Sequence, residues 1–329
     1  MLGIFASDLE LCSSIVKILY KMKSLAGLKG IMFAIISSGT FGLIPLFTIP
    51  LIKELGMSEA NILFYRFFLS TIMMAVICLA RRSNLRIKLK DLIPIFALGA
   101  LYALTALFLV YSYNYISSGV ATTIHFLYPI CVSFLMVAFF KEEKSKSLFF
   151  AAFISLIGVA LMCWTGSGGM SMMGVLLAAL TIITYGFYIV GLNQLKVGQL
   201  PADVLTFYVI LAGAVIFFLY AQFDGEGIQA VPSVDAGLHL LALAFLATVV
   251  SDFALILAVK YAGSTVTAIL GSMEPLVAVS VGVLVFSEHF TFQSLIGLIL
   301  ILISVLLVIL SDQQKKKKLA TQKIPINHS

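Results

Sequence analysis

Four ionisable side chains stand inside long apolar runs: Arg66, His125, Asp252 and Glu274. In hydrocarbon a charge is costly unless it is paired or faces water, so each is a candidate site. A carboxylate placed there can carry a proton, meet a cargo ammonium or tie neighbouring helices. Glu274 lies ten residues into its run and Asp252 eight residues before the end of its own. At helical rise those positions are about 15 and 12 Å deep from the same side. Arg66 and His125 lie at similar depths from the opposite side and can frame the other half of a cavity. The structural alternatives are an Arg66 that snorkels to the interface and a His125 that packs between helices rather than serving as gate or proton relay. Acids toward one side and Arg66 toward the other hint at a zwitterionic cargo such as an amino acid.

Around these charges stand residues that shape helices. Pro129 and Pro275 each remove a helix hydrogen bond and free a carbonyl one turn earlier. Inside a membrane such bends are tolerated where they line a cavity. Tyr128 and Glu274 immediately precede the two prolines. The run Ser37-Ser38-Gly39-Thr40-Phe41-Gly42 and the set Thr181, Thr184, Tyr185, Gly186 are small and polar, suited to close helix approach or to lining a solute path. Tyr111, Tyr113 and Tyr115 read as an interfacial aromatic belt.

Enzyme chemistry finds little support. There is no HExxH, no Gly-x-Ser-x-Gly and no Walker loop, and Asp252 with Glu274 is the nearest thing to an acid pair. His125 is the one intramembrane histidine of four, too few for a transition-metal cluster. Cys12, Cys78, Cys131 and Cys163 lack paired spacing and read as small hydrophobes. The expectation is a protein that is not an enzyme, with no cofactor and no metal; any pumping must draw on gradients.

The elements that hold these residues follow from composition. Hydrophobic residues make up 61% of the 329 and charged ones only 11%. A soluble globule cannot hide that much apolar surface, so lipid is the solvent. Runs of helix-spanning length occur at 28–50, 60–80, 92–115, 117–139, 147–165, 172–195, 203–221, 235–260, 264–286 and 291–310. With a cytoplasmic N-terminus, 19 of the 21 lysines and arginines fall on the cytoplasmic side, leaving Lys53 outside and Arg66 within a helix. That asymmetry satisfies the positive-inside rule and puts both termini in the cytoplasm. It also accounts for the net charge of +6 without nucleic acid. Residues 1–27 read as a cytoplasmic tail rather than a signal peptide, with Met22 a second start beside Met1. Residues 311–329 read as a basic, unfolded tail whose Lys315 to Lys318 can touch anionic headgroups.

The chain also repeats itself. An offset of 146 places Tyr115 on Tyr261, Ser118 on Ser264, Pro129 on Pro275, Phe140 on Phe286 and Glu142 on Glu288, so Tyr128 falls on Glu274. An offset of 144 places Gly30, Ala34, Thr40 and Gly42 on Gly174, Ala178, Thr184 and Gly186. Each half holds five spans, an odd number, so the second copy must enter the membrane from the opposite side. The expected fold is an all-α membrane protein of ten transmembrane helices in two inverted repeats, 28–165 and 172–310. Inverted repeats suit alternating access about a midplane site.

Ser272-Met273-Glu274-Pro275-Leu276 through Phe286-Ser287-Glu288 resembles the ninth helix of EamA-type proteins of the drug/metabolite transporter superfamily, and Tyr128-Pro129 through Glu142 their fourth. Thr184-Tyr185-Gly186 and Thr40-Phe41-Gly42 are similar to the aromatic-Gly element of their sixth and first helices, with Phe41 where many relatives carry Trp. The resemblance, over residues from about 30 to 310, implies a ten-helix basket with a central cavity, exporting or exchanging amino acids, metabolites or drugs. The partners expected are a small-molecule solute and membrane lipids, with proton coupling and a homodimer as open options. The expected location is the plasma membrane or bacterial inner membrane. Transport without ion coupling, as facilitator or exchanger, is the alternative.

Overall fold

In a computed structural model, residues 25–140, 146–163, 171–223, 227–262, 267 and 270–322 are described. Every regular element among them is helical: α1 (Leu25–Phe41), α2 (Ile44–Lys53), α3 (Glu59–Ala80), α4 (Leu92–Ser112), α5 (Ser118–His125), α6 (Tyr128–Phe139), α7 (Lys146–Cys163), α8 (Met172–Gln194), α9 (Ala202–Phe223), α10 (Val234–Ala244), α11 (Ser251–Ala262), α12 (Met273–Leu284) and α13 (Phe292–Gln322). Among the described residues eight spans, several built from two successive helices, are long and apolar enough to cross a membrane. Phe149–Met162 and Met273–Leu284 are two shorter apolar helices.

The breaks have local causes. Pro45 opens α2 and Pro129 opens α6, each supplying no N–H where the preceding helix would need one. At the second break the amide of Leu127 turns back to the carbonyl of Ile124, 3.0 Å away, and α6 restarts at Tyr128. Between α10 and α11 the chain does not break but widens into a π-helical turn over Phe245–Val250. Serines open two helices: Ser58 accepts from the amide of Asn61 at α3, and Ser233 from that of Ala236 at α10.

The packing is symmetric under exchange of the two halves. α1 packs chiefly on α11 and, equivalently, α8 on α4, while α3 with α9 and α7 with α13 each pair with their own repeat partner, and α5 packs on α12, the match of α6. Hydrogen bonds fix direction. At the start of α3, Asn61 bonds to the carbonyl of Gly227 and the amide of Gln229, and the Tyr65 hydroxyl donates to the carbonyl of Gln229 at 2.6 Å, so this end lies beside the chain that follows α9. Just past the other end of α3, Arg81 and Ser83 reach Asp203 at the start of α9. The two matched helices therefore run antiparallel, as an inverted repeat requires.

Glycines set the closest approaches. A Cβ on Gly42 would stand 2.7 Å from Cβ of Val277, and one on Gly186 would stand 2.8 Å from Sγ of Cys131. Gly42 matches Gly186 and Val277 matches Cys131 in the two sequence registers. The same contact is thus built twice, each time between the first helix of one copy and the bent helix of the other.

Outside, α7 turns Phe149, Phe153 and Leu156 outward, each more than 60% exposed, as a lipid-facing stripe at helical spacing. Two expectations are corrected. Tyr113 does not belong to an interfacial belt: the chain leaves α4 after Ser112 and turns, burying Tyr113 in the main core, and Tyr115 alone of the three is strongly exposed. Residues 311–322, read as unfolded tail, continue α13. Lysines, glutamines and alanine are good helix formers, and a helix already nucleated in the membrane extends at little cost.

Candidate functional site

Where the two copies meet there is a half-enclosed cavity of about 360 Å³. α1 contributes Ser37, Ser38 and Phe41, α3 Arg66, α4 Tyr102 and Thr105, the α5–α6 bend His125, Tyr128 and Pro129, α8 Tyr185, and α12 Glu274. Ala34, Ala106, Leu109, Ile189 and Leu255 add an apolar wall. Away from the chain termini, Leu51, Met57, Tyr113, Ile116, Val120 and Ala121 are buried together in the main core. Toward the termini the cavity lining continues through Val132, Ser133, Ile189, Val308 and Ile309.

Arg66 is only 4% exposed and does not snorkel. Its Nε donates to the Thr248 hydroxyl at 3.1 Å, and its guanidinium carbon lies 5.9 Å from the centre of the Phe67 ring. Thr248 stands in the π-helical turn and directs its own proton to the carbonyl of Leu243, five residues back. π turns of this kind are uncommon and concentrate at functional sites.

His125 is tied to α8 through Nδ1 and the Thr181 hydroxyl, 3.0 Å apart. The Thr181 proton is already directed at the carbonyl of Ala178. That assigns Nδ1–H as the donor and leaves Nε2 an acceptor when the ring is neutral. Around it the rings form one cluster: Tyr128 to Tyr185 at 4.7 Å edge to face, His125 to Tyr185 at 5.1 Å, Tyr185 to Tyr188 at 5.5 Å and Tyr102 to Tyr188 at 5.2 Å. Glu274 lies within electrostatic range of Tyr128 and Tyr185, and its carboxylate has no hydrogen bond or ion pair among the described residues.

The sequence candidates thus separate into two groups. Glu274, His125, Tyr128, Arg66, Tyr185, Phe41 and Pro129 meet at the cavity. Asp252, Thr184, Thr40 and Pro275 are not among its lining residues. Asp252, read as facing the cavity, lies in the first turn of α11, within electrostatic range of Arg66 and of the cavity-lining Tyr102. Thr40 bonds back to the carbonyls of Ile36 and Ser37. Thr184 shares a 2.7 Å hydrogen bond with Thr105, tying α8 to α4. Pro275 is buried in packing.

Sequence reading missed Thr248, since a π turn leaves no compositional mark. It also missed Tyr102 and Thr105, although their spacing of three, continued by Leu109, was a legible helix face. The matched Glu288 acquires a role: its carboxylate accepts from the amide and hydroxyl of Ser118, both at 2.9 Å, capping the N-terminus of α5. Its counterpart Glu142, with Ser264, lies outside the described residues.

Two segments, residues 28–164 and 172–310, each match the EamA-like transporter family. The chain belongs to that family. The two matches coincide with the two copies seen in sequence and packing. A solved structure titled "Crystal structure of protein" is similar in fold, with a TM-score of 0.62 at 17% identity, over 88% of this chain and 98% of that one. No curated protein matches the sequence. The EamA-like chain is an integral multi-pass membrane protein of a transporter family.

Proposed function

We propose that this EamA-like protein is a secondary transporter of a small organic solute, with ten spans in two inverted copies that rock about the cavity. The single observation that carries the reading is the cavity between the copies, apolar in its walls yet holding a buried Arg66 and an unbonded Glu274. Counting α7 and α12 as spans completes five per copy. The basic asymmetry supports cytoplasmic termini in a cell membrane, so the core around Tyr113 closes the outer side and the cavity faces the cytoplasm. Glu274 is the group that carries a proton or meets a cargo amine. Any pumping would draw on a gradient, since the sequence carries no nucleotide-binding motif.

The test uses purified protein in liposomes, with radiolabelled amino acids, organic acids, nucleosides and lipophilic cations, with and without a pH gradient. Saturable transport of at least one class, accelerated by the gradient, is expected. Rates equal to empty liposomes across the panel overturn the reading. Saturable exchange with no response to the gradient points instead to an uncoupled exchanger. Reporter fusions at Asn327 and at Val231, between α9 and α10, should report opposite sides; identical signals overturn the orientation.

A further inference from the structure

We infer that Arg66 is the docking point for a carboxylate of the cargo, with Thr248 as its positioning residue. The inference rests on the transport reading and names the chemistry of what that site accepts.

A guanidinium carries five N–H donors and no acceptor. Among the described residues Arg66 uses one of them, the Nε–H, on Thr248. The Nη1 and Nη2 groups have no acceptor there, and no carboxylate stands within ion-pair distance. This cation is 4% exposed, lies in a membrane span and lines the cavity. Burying a charge so incompletely partnered is expensive. Asp252 offsets part of that cost at a distance, but it makes no hydrogen bond or ion pair with Arg66 among the described residues.

The geometry selects the missing partner. With Nε held by Thr248, the Nη1–Nη2 edge remains, and two parallel N–H groups match the two oxygens of a carboxylate. One guanidinium carries a single positive charge, part of it already answered by the field of Asp252, which favours a monoanion over a doubly charged phosphate. The apolar wall of Ala34, Ala106, Leu109 and Leu255 suits a short hydrocarbon body attached to it. Thr248 is placed for this task by the π turn: its proton is spent on Leu243, so its oxygen offers Arg66 only lone pairs. Glu274 lines the same cavity but makes no ion pair with Arg66 among the described residues, so the Nη edge is not spent on it.

The test reads binding apart from transport. Thermal unfolding of the purified protein in detergent is followed with 4-methylpentanoate and its amide, and with leucine and leucinamide, chloride and phosphate serving as anion controls. The acids are expected to raise the midpoint and the amides to leave it unchanged. Arg66→Lys, which keeps the charge but loses the paired donors, should weaken acid binding on the order of tenfold. Thr248→Val should weaken it less, Thr248→Ser should restore it, and both should fold whatever becomes of Arg66→Gln. Equal responses to acid and amide, or to neither, overturn the inference even if liposomes transport a neutral or cationic compound. Phosphate or chloride matching the acids overturns the carboxylate assignment. Acid-selective binding in a protein that transports nothing would uphold this site and sink the transporter reading.

Discussion

Two places in this molecule put charged groups against bent helices, and they are built oppositely. Where α5 begins beside the chain that follows α12, Glu288 is fully engaged: it caps α5 through Ser118, with a weaker contact to the amide of Gly119 at 3.5 Å. Around it two glycines remove every spare ångström, since a Cβ on Gly119 would stand 2.9 Å from Cα of Val279 and one on Gly282 would stand 2.2 Å from the Glu288 carboxylate. In the cavity, by contrast, Arg66 keeps its Nη edge and Glu274 its whole carboxylate without a protein partner among the described residues. The clasp has spent its polar groups on holding one shape. The cavity keeps its own for something that arrives and leaves.

That contrast sets what each region should do when disturbed. The largest effect expected is from Glu274→Gln, which should reduce gradient-driven transport to the rate of empty liposomes while exchange persists, because exchange moves no net proton. Its thermal stability should be unchanged, since the isosteric amide loses no internal hydrogen bond. Wild-type transport in this variant would erase the distinction between the two regions.

The clasp should fail in the opposite sense. Gly119→Val forces α5 away from the backbone of α12, and overpacking of this kind costs about 1–3 kcal/mol. Glu288→Gln should cost about 1–2 kcal/mol, the worth of hydrogen bonds made by a charged acceptor. Gly282→Ala sharpens the point, because the new methyl displaces the Glu288 carboxylate without altering its charge and should match Glu288→Gln in a chemical or thermal melt. If Gly282→Ala is silent, the clasp is not held through the carboxylate.

The smallest effect is reserved for Arg81→Gln. Its 3.7 Å pair with Asp203 involves an arginine side chain 54% exposed, so the loss should stay under about 1 kcal/mol. Transport should be unaffected, which would separate a membrane-edge ion pair from both the clasp and the cavity.

Much of this was legible beforehand. Hydrophobic run length gives the spans because lipid leaves helices no other way to satisfy their backbone. Charge asymmetry gives a sidedness, and the matches of Pro129 with Pro275 and Gly42 with Gly186 give the repeat. A repeat of five spans is inverted by counting alone, and the antiparallel pairing of α3 with α9 agrees. What the sequence could not set was rotation about each helix axis. Depth is linear in residue number, so Glu274 and Asp252 came out level; which face of α11 meets which neighbour depends on packing between helices far apart in the chain. Tertiary structure alone decided that Asp252 shares its surroundings with Arg66, that Tyr113 is core rather than belt, and that a π turn delivers the Thr248 hydroxyl to Arg66. Each of these is a matter of side-chain direction, and direction is fixed only when the surfaces of two helices have been brought together.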